Sequence, residues 1–454
     1  MFLSIAVLFL AAELATVNAD TVNGAVIFSR HGDRTWKAAP PTKLTAVGQQ
    51  QLYNSSAYWR SRWLKSGSDY QIVNLSKDVY SPAQFSAAAP DQPLLVTSGQ
   101  VFLQGLYPPL NETSEHPLSG YQYVPLTTVP SDSPASIWLK GDDGCPAHDD
   151  IADRWNTTAE FKALEVSTKD FYHSFYDSIF AGVLPKSKLS YSNAFNIFDY
   201  VNVGMVHNET ISNLVSQEQL FQLRTLADSA EWAKTGAISS AHDTLAVSGL
   251  TFASRMLQQL QAMVDSKGTK TLLNVNIGSY DTMLSFFALA GLPAVNSNFY
   301  GLPDYASTLA FELYSHTEAF PEDLSELKVR FLFRNGTNAP AESFGLFGGT
   351  STLSWTDFKT GMEKISLRSV EDWCRFCGST EGYCLQYKQE LSGVTKEVAG
   401  VVGVVVTLGV LVVAAVVAAV AGVRISRRTK MGSVAVVAGG KQFDGASSCA
   451  GSKL

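Results

Sequence analysis

An α/β core, interrupted by a mostly helical insertion and followed by one membrane-spanning helix, is the architecture that this 454-residue chain predicts. Three observations predict it. Short β-branched apolar runs alternate with amphipathic helical patterns at both ends of residues 20–385. A stretch of different texture, 111–245, separates those two parts. It is first rich in Pro, Asp, Ser and aromatics and then helix-like. Finally, residues 398–423 contain no charge at all, and these 26 residues exceed the roughly 20 that a helix needs to cross a bilayer.

Taken in order, residues 1–19 read as a cleavable signal peptide. A short apolar run ends in small Val17 and Ala19, with the cut after Ala19 and an alternative near Ala15. Gly24–Ser29 is a buried strand candidate, and 44–64 a helix with Leu52, Trp59 and Trp63 on one side. The core is expected to comprise 20–110 and 246–385. The insertion between them holds helical segments such as Thr158–Tyr176 and Ser216–Thr235. Leu250, Ala253, Leu257, Leu260 and Val264 then repeat as one helix face. Thr271–Ile277 is a strand candidate, and Thr282–Leu292 a helix stopped near Gly291-Leu292-Pro293. Alternation at Leu309, Phe311 and Leu313, and again at Val329, Phe331 and Phe333, predicts two antiparallel strands. Residues 386–397 form a stalk and 424–454 a cytoplasmic tail.

Charge and cysteine usage follow the same division. The tail carries six Lys/Arg and one acid, starting with Arg424, Arg427 and Arg428, which places that end in the cytoplasm. Residues 20–423 hold 28 basic and 39 acidic residues, so the outer part is acidic and nucleic acid is not an expected partner. The expected location is a membrane, as a single-pass type I protein with its folded part outside or in the lumen. Six N-x-S/T sequons, at Asn54, Asn74, Asn111, Asn156, Asn208 and Asn335, all precede the apolar run. Cys145, Cys374, Cys377 and Cys384 share that side and are expected to form disulfides; four cysteines allow three pairings. The Cys374-x-x-Cys377 spacing also suits a redox pair. The terminal Ser452-Lys453-Leu454 string resembles a peroxisomal address, against which the leader, span and sequons all argue.

Arg30-His31-Gly32-Asp33-Arg34-Thr35 leaves the end of the first apolar strand, where α/β folds place ligand sites. Two arginines flank one histidine, and a guanidinium fork matches phosphate oxygens. Gly32 lets the backbone approach closely and frees a carbonyl to hold one ring nitrogen of His31, leaving the other to attack.

These six residues resemble the signature of the histidine phosphatase superfamily, in its acid phosphatase and phytase branch. Leu44-Thr45-Ala46-Val47-Gly48, Phe102–Pro109 and Asn193–Asp199 are similar to further segments of its secreted members. The resemblance spans roughly 22–385. It implies a mixed-sheet, three-layer core of the phosphoglycerate mutase-like kind with an inserted helical cap, and phosphomonoester hydrolysis without a cofactor or metal. It further implies that His31 is a nucleophile forming a phosphohistidine, that Arg30 and Arg34 bind the phosphate oxygens, and that an H-D pair supplies a proton donor.

The chain departs from the pattern twice. His242-Asp243 resembles the H-D pair by letters, whereas Tyr280-Asp281 resembles it by context, following a strand and opening a helix. The latter is preferred, so Asp281 becomes the general acid and Tyr280 a neutral phosphate donor. No arginine lies between Arg62 and Arg154, where the family carries a third phosphate-binding one; Gln92 offers an amide there. Two readings follow: an acid phosphatase acting on a phosphorylated small molecule, or a catalytically weak relative that binds such a ligand as a surface glycoprotein.

Overall fold

The computed structural model describes residues 20–111 and 118–387; the expected leader, apolar span and tail, and all of the stalk but residues 386–387, lie outside them. Among the described residues no helix is long and apolar enough to cross a membrane.

One mixed sheet organises the core. Its strands are β1 (Thr21–Arg30), β2 (Phe85–Pro90), β3 (Thr127–Val129), β4 (Leu273–Gly278), β5 (Thr308–Ser315), β6 (Lys328–Arg334), β7 (Glu342–Phe344) and β8 (Thr352–Ser354). The order is β3-β2-β4-β1-β5-β6-β7, with β8 also pairing with β6. Strands β3, β2, β4 and β1 are parallel; β5 opposes β1, and β6 opposes β5.

The sheet is buried on both faces, and the side-chain alternation along β1 shows it. Val26 and Phe28 join one apolar cluster, while Ala25 and Ile27 join another. The first lies under the Val247–Asp265 helix, the Tyr280–Leu289 helix and the helical insertion. The second lies under α1 (Ala46–Trp63) and α2 (Pro93–Leu106). Trp59 and Trp63 stack there at 4.4 Å, on the α1 face that the sequence pattern indicates. The antiparallel pair is present, with Phe311 opposite Phe331.

Two boundaries differ from expectation. The mostly helical stretch 111–245 also contributes Thr127–Val129 to the sheet, beside β2. Three residues carry too short a pattern to mark a strand in advance. The helix expected to begin near Thr282 starts at Tyr280, because extended Ser279 already turns the chain, so Tyr280 and Asp281 occupy its first turn. It ends before Gly291, whose φ of 73° breaks the helix.

Cys145 pairs with Cys377 and Cys374 with Cys384, so the two cysteines of the C-x-x-C each bond elsewhere. Both bridges sit in a third apolar cluster with Ile137, Val247 and Trp373. All six sequon asparagines are exposed.

Candidate functional site

The signature turn is laced into the centre of the sheet. The Arg30 N–H donates to the Ser307 carbonyl, the His31 N–H to Gly278, and the Ala306 N–H to His31. Each neighbour of β1 therefore fixes the turn that follows it. Gly32 and Gly48 touch backbone to backbone: a Cβ on Gly32 would overlap the Gly48 carbonyl, and one on Gly48 would overlap that of Asp33. Thr45 caps α1 by accepting from the Gly48 N–H, and its hydroxyl donates to Asp33 Oδ2 at 2.5 Å. The R-H-G and L-T-x-x-G segments thus form one interlocked unit.

Inside this unit, Arg30, His31 and Arg34 are 5%, 4% and 1% exposed. His31 Nδ1 lies 2.9 Å from the Gly32 carbonyl. A carbonyl only accepts, so Nδ1 carries the proton and Nε2 keeps its lone pair. Burial first, then the Arg30 and Arg34 charges, hold the His31 imidazole well below the usual histidine range. The ring is therefore neutral in mildly acidic solution.

Among the described residues, both flanking arginines keep a buried nitrogen with no partner: Arg30 Nε and Arg34 Nη2. A buried donor without an acceptor is costly, and a bound anion satisfies it. On each group the terminal nitrogen Nη1 is engaged. Arg30 Nη1 donates to the Pro303 carbonyl. Arg34 Nη1 donates to both oxygens of Asp199 at 2.9 and 2.8 Å. Tyr305 lies between the two guanidinium groups, 4.6 Å from Arg30 and 5.8 Å from Arg34, with its ring 5.7 Å from that of His31.

The insertion supplies the other contacts. Asp199 lies on the Ala194–His207 helix, and His207 at its end reaches Asp33 Oδ2 at 2.6 Å. One ion pair and one hydrogen bond from this helix therefore tie the insertion to the signature turn. The segment Asn193–Asp199 drew notice by its resemblance, but the role of Asp199 was not legible without the fold. His207, Tyr305 and Lys37 carried no signal in the sequence.

Tyr280 and Asp281 follow β4, next to β1. The Tyr280 ring lies 5.0 Å from the Arg30 guanidinium. Its hydroxyl donates to Glu231 Oε2 at 2.7 Å, so the proton expected to reach a phosphate oxygen is committed to the Gln217–Thr235 helix. Burial and the Glu231 and Asp281 charges push the phenol well above its usual range. Burial would push the Asp281 carboxyl up, but the Lys140 and Lys37 charges and the Thr282 N–H hold it below the usual carboxylate range. Lys37 also acts on His31. Its ammonium makes no ion pair among the described residues, and it lies 5.2 Å from the Phe195 ring and 5.5 Å from that of Tyr280. Lys37, Phe195, Glu231, Lys234 and Tyr280 line a cavity of about 370 Å³ beside the turn.

The alternative pair lies elsewhere. His242 is exposed, and Asp243 accepts from the Leu245 and Ser239 N–H groups within its own loop. Gln92 is exposed at the start of α2. A cavity of about 960 Å³ is lined by Phe221, Trp232 and Tyr300, and neither His31, Arg34 nor Asp281 borders it. Among the described residues no three His, Cys, Asp or Glu side chains are grouped to hold a metal ion.

Comparison with known proteins agrees with this geometry. The sequence model of the histidine phosphatase superfamily (branch 2) matches residues 36–334, more than half of the chain and starting just after the signature turn. Human prostatic acid phosphatase is 23% identical over 371 residues, covering 78% of this chain and 87% of that protein. Two solved phytase structures share the fold. That from Klebsiella sp. ASR1 has a TM-score of 0.52 at 12% identity, covering 77% of this chain and 97% of its own. That from Citrobacter braakii has a TM-score of 0.51 at 13% identity, covering 79% and 99%.

Proposed function

The chain belongs to branch 2 of the histidine phosphatase superfamily, and from that premise we propose that it hydrolyses phosphomonoesters in acid solution through a phosphohistidine at His31. The single observation that carries this reading is the pair of orphaned donors, Arg30 Nε and Arg34 Nη2, beside a neutral imidazole whose free nitrogen is Nε2. A phosphoryl group satisfies both donors and presents phosphorus to that nitrogen.

The reaction then runs in two displacements. His31 Nε2 attacks phosphorus, the ester P–O bond breaks, and the leaving alkoxide takes a proton through the carboxyl group at Asp281. Water attacks the phosphohistidine, the P–N bond breaks, and the proton lost by water returns to the same carboxyl group. Arg30 and Arg34 hold the equatorial oxygens as their charge grows, and Lys37 adds a third positive charge. Tyr280 contributes by packing its ring on Arg30 rather than by its hydroxyl.

We also infer that the folded part is displayed on the lumenal or outer side of a membrane as a glycoprotein. Six exposed sequons and two disulfides support that side. The test of function is release of p-nitrophenol near pH 5 by the purified full-length protein and by its His31→Ala variant. A rate at least 10³-fold higher in the wild type is expected; equal rates overturn the reading.

A second reading, a phosphate-ligand binder with little turnover, is favoured by one observation. Asp199 already neutralises Arg34, and Tyr280 is committed to Glu231. It predicts that inorganic phosphate raises the melting temperature while ester turnover stays at the His31→Ala level.

A further inference from the structure

The sequon at Asn335 is tied to the candidate site by its own side chain. Asn335 follows β6, and Gly336, at a φ of 71°, turns the chain there. The residue is exposed, yet its Oδ1 accepts twice, from the Asp304 N–H at 2.8 Å and from the Ser307 hydroxyl at 2.9 Å. A backbone N–H only donates, so the amide oxygen faces Asp304 and the amide nitrogen faces away. That nitrogen, Nδ2, donates to no group among the described residues. It is the atom that an N-linked glycan uses.

Asn335 also borders the cavity of about 960 Å³, which lies between the Gln217–Thr235 helix and residues 296–304. Aromatic rings line that cavity. Trp232 meets Tyr300 edge-on with centroids 4.7 Å apart, and Phe299 meets Phe344 at 4.9 Å. Tyr300 is 48% exposed and Phe221 71%. Carboxylates stand beside the rings: Asp304 accepts from Arg224 Nη1 at 2.6 Å, and Asp228 from the Leu302 N–H at 2.8 Å. Open ring faces next to fixed acceptors suit a sugar, whose C–H face packs on a ring while its hydroxyls donate at the edge. Arg224, Asp228 and Trp232 all border the cavity, and the first and last are about 12 Å apart along the helix. Asp304 touches both Arg224 and Asn335, so the way from the asparagine to Trp232 is about two helical turns, the length of two linked pyranose rings.

We propose that this cavity seats the chain's own glycan: the two N-acetylglucosamine residues on Asn335 Nδ2 pack against Trp232 and Tyr300 and thereby brace residues 302–307. The proposal rests on the inference above that the folded part is a lumenal glycoprotein. Attachment joins Nδ2 to the anomeric carbon of a lipid-linked oligosaccharide diphosphate. One amide hydrogen leaves as a proton, the sugar–phosphate C–O bond breaks, and the lipid diphosphate departs. The oxygen of Asn335 and its two hydrogen bonds are untouched.

The braced segment is the one that holds the signature turn. The Pro303 carbonyl accepts from Arg30 Nη1, and the Ser307 carbonyl from the Arg30 N–H. The Ala306 N–H donates to the His31 carbonyl, and the Tyr305 ring lies between the two guanidinium groups. Asn335 Oδ1 grips this segment at Asp304 and at Ser307. A glycan on the same amide, seated on the facing helix, takes conformational freedom from the segment and from the arginine it holds.

The test uses the full-length protein made in glycosylating cells, as wild type, Thr337→Ala and Asn54→Gln. Thr337→Ala removes the sequon but keeps Asn335 and the Thr337 carbonyl that accepts from Arg334. Asn54→Gln removes a glycan from exposed α1 and is the control. Trp232 and Tyr300 are expected to resist hydroxyl-radical oxidation in the wild type and in Asn54→Gln, and to lose that protection in Thr337→Ala. Hydrogen exchange over 302–307 is expected to be about fivefold faster in Thr337→Ala alone. Equal oxidation, or equal exchange, in wild type and Thr337→Ala overturns the proposal.

A second measurement needs no variant. In the folded wild type an endoglycosidase is expected to release the Asn54 glycan at least about tenfold faster than the Asn335 glycan; equal release overturns the proposal. Glycopeptide masses separate the two ways to fail. A bare Asn335 beside occupied sequons overturns the seated glycan and leaves the lumenal reading standing. No occupied sequon anywhere overturns the lumenal reading, and the seated glycan with it.

Discussion

The two walls of the site are built in opposite ways. The wall from Arg30 to Gly48 is held by backbone hydrogen bonds and by two glycines in contact, so each residue type is dictated by space. The wall from Ser279 to Asp281 combines one direct hydrogen bond, Tyr280 to Glu231, with the field of the Lys37 and Lys140 charges. Sterics reject a single methyl group, whereas a Coulomb field can be rebuilt from other residues. The first wall accordingly tolerates little change at Gly32 and Gly48, and the second more at Tyr280.

Four expected outcomes break or sharpen this contrast. The largest concerns His31. Its replacement by Ala should abolish turnover by 10³-fold or more with little change in melting temperature, since a buried imidazole with one local hydrogen bond stabilises little. In the wild type, the acid limb of kcat/KM should fall well below the ordinary histidine range. The folded pKa is depressed, so the nucleophile stays neutral as pH falls. An acid limb near 6.5 would show that the ring is not desolvated in solution.

Next is Asp199→Asn. Removing one partner of a buried pair strands the Arg34 charge, and about 3–5 kcal/mol should be lost in denaturant melts. Bound phosphate should recover part of it by taking the freed guanidinium, so a phosphate effect larger than in the wild type is expected. An equal effect would separate Arg34 from the anion site.

Gly48→Ala tests the steric wall. The added methyl meets the Asp33 carbonyl, and about 1–3 kcal/mol of overpacking is expected together with loss of turnover. Full activity in that variant would dissolve the contrast.

The smallest effect is at Tyr280. Tyr280→Phe removes one hydrogen bond and leaves Glu231 without its donor, costing about 1–3 kcal/mol, with turnover nearly kept. Tyr280→His places an imidazole beside Arg30 and should raise turnover by about tenfold if that side lacks only a cation. A fall would show that the Glu231 contact is indispensable.

Much of this was legible in the residues. The buried run before Arg30 predicts the central strand, because a strand covered on both faces reads as continuous apolar sequence. The signature turn predicts the anion site, because glycine and arginine have few other reasons to stand at those spacings. The strand before Tyr280-Asp281 and the helix that opens there were also legible. What stayed hidden is whatever depends on residues far apart in sequence. Asp199 and His207 meet Arg34 and Asp33 only after the insertion folds back. The Cys145–Cys377 and Cys374–Cys384 bridges stayed hidden too, because four cysteines do not disclose their own pairing. The commitment of the Tyr280 hydroxyl to Glu231 was likewise invisible, since no local pattern links positions 49 residues apart.

The position of β1 has a consequence for how the molecule comes into being. It is the first strand to leave the ribosome, yet its hydrogen-bonding neighbours on both sides are β4 and β5; Ile27 and Asn276, which touch across it, stand 249 residues apart. At roughly 5–20 residues per second, the nascent strand waits on the order of ten seconds or more for a partner. The apolar ribbon ahead of His31 must be shielded during that interval, and the site closes only when nearly the whole folded part has been made.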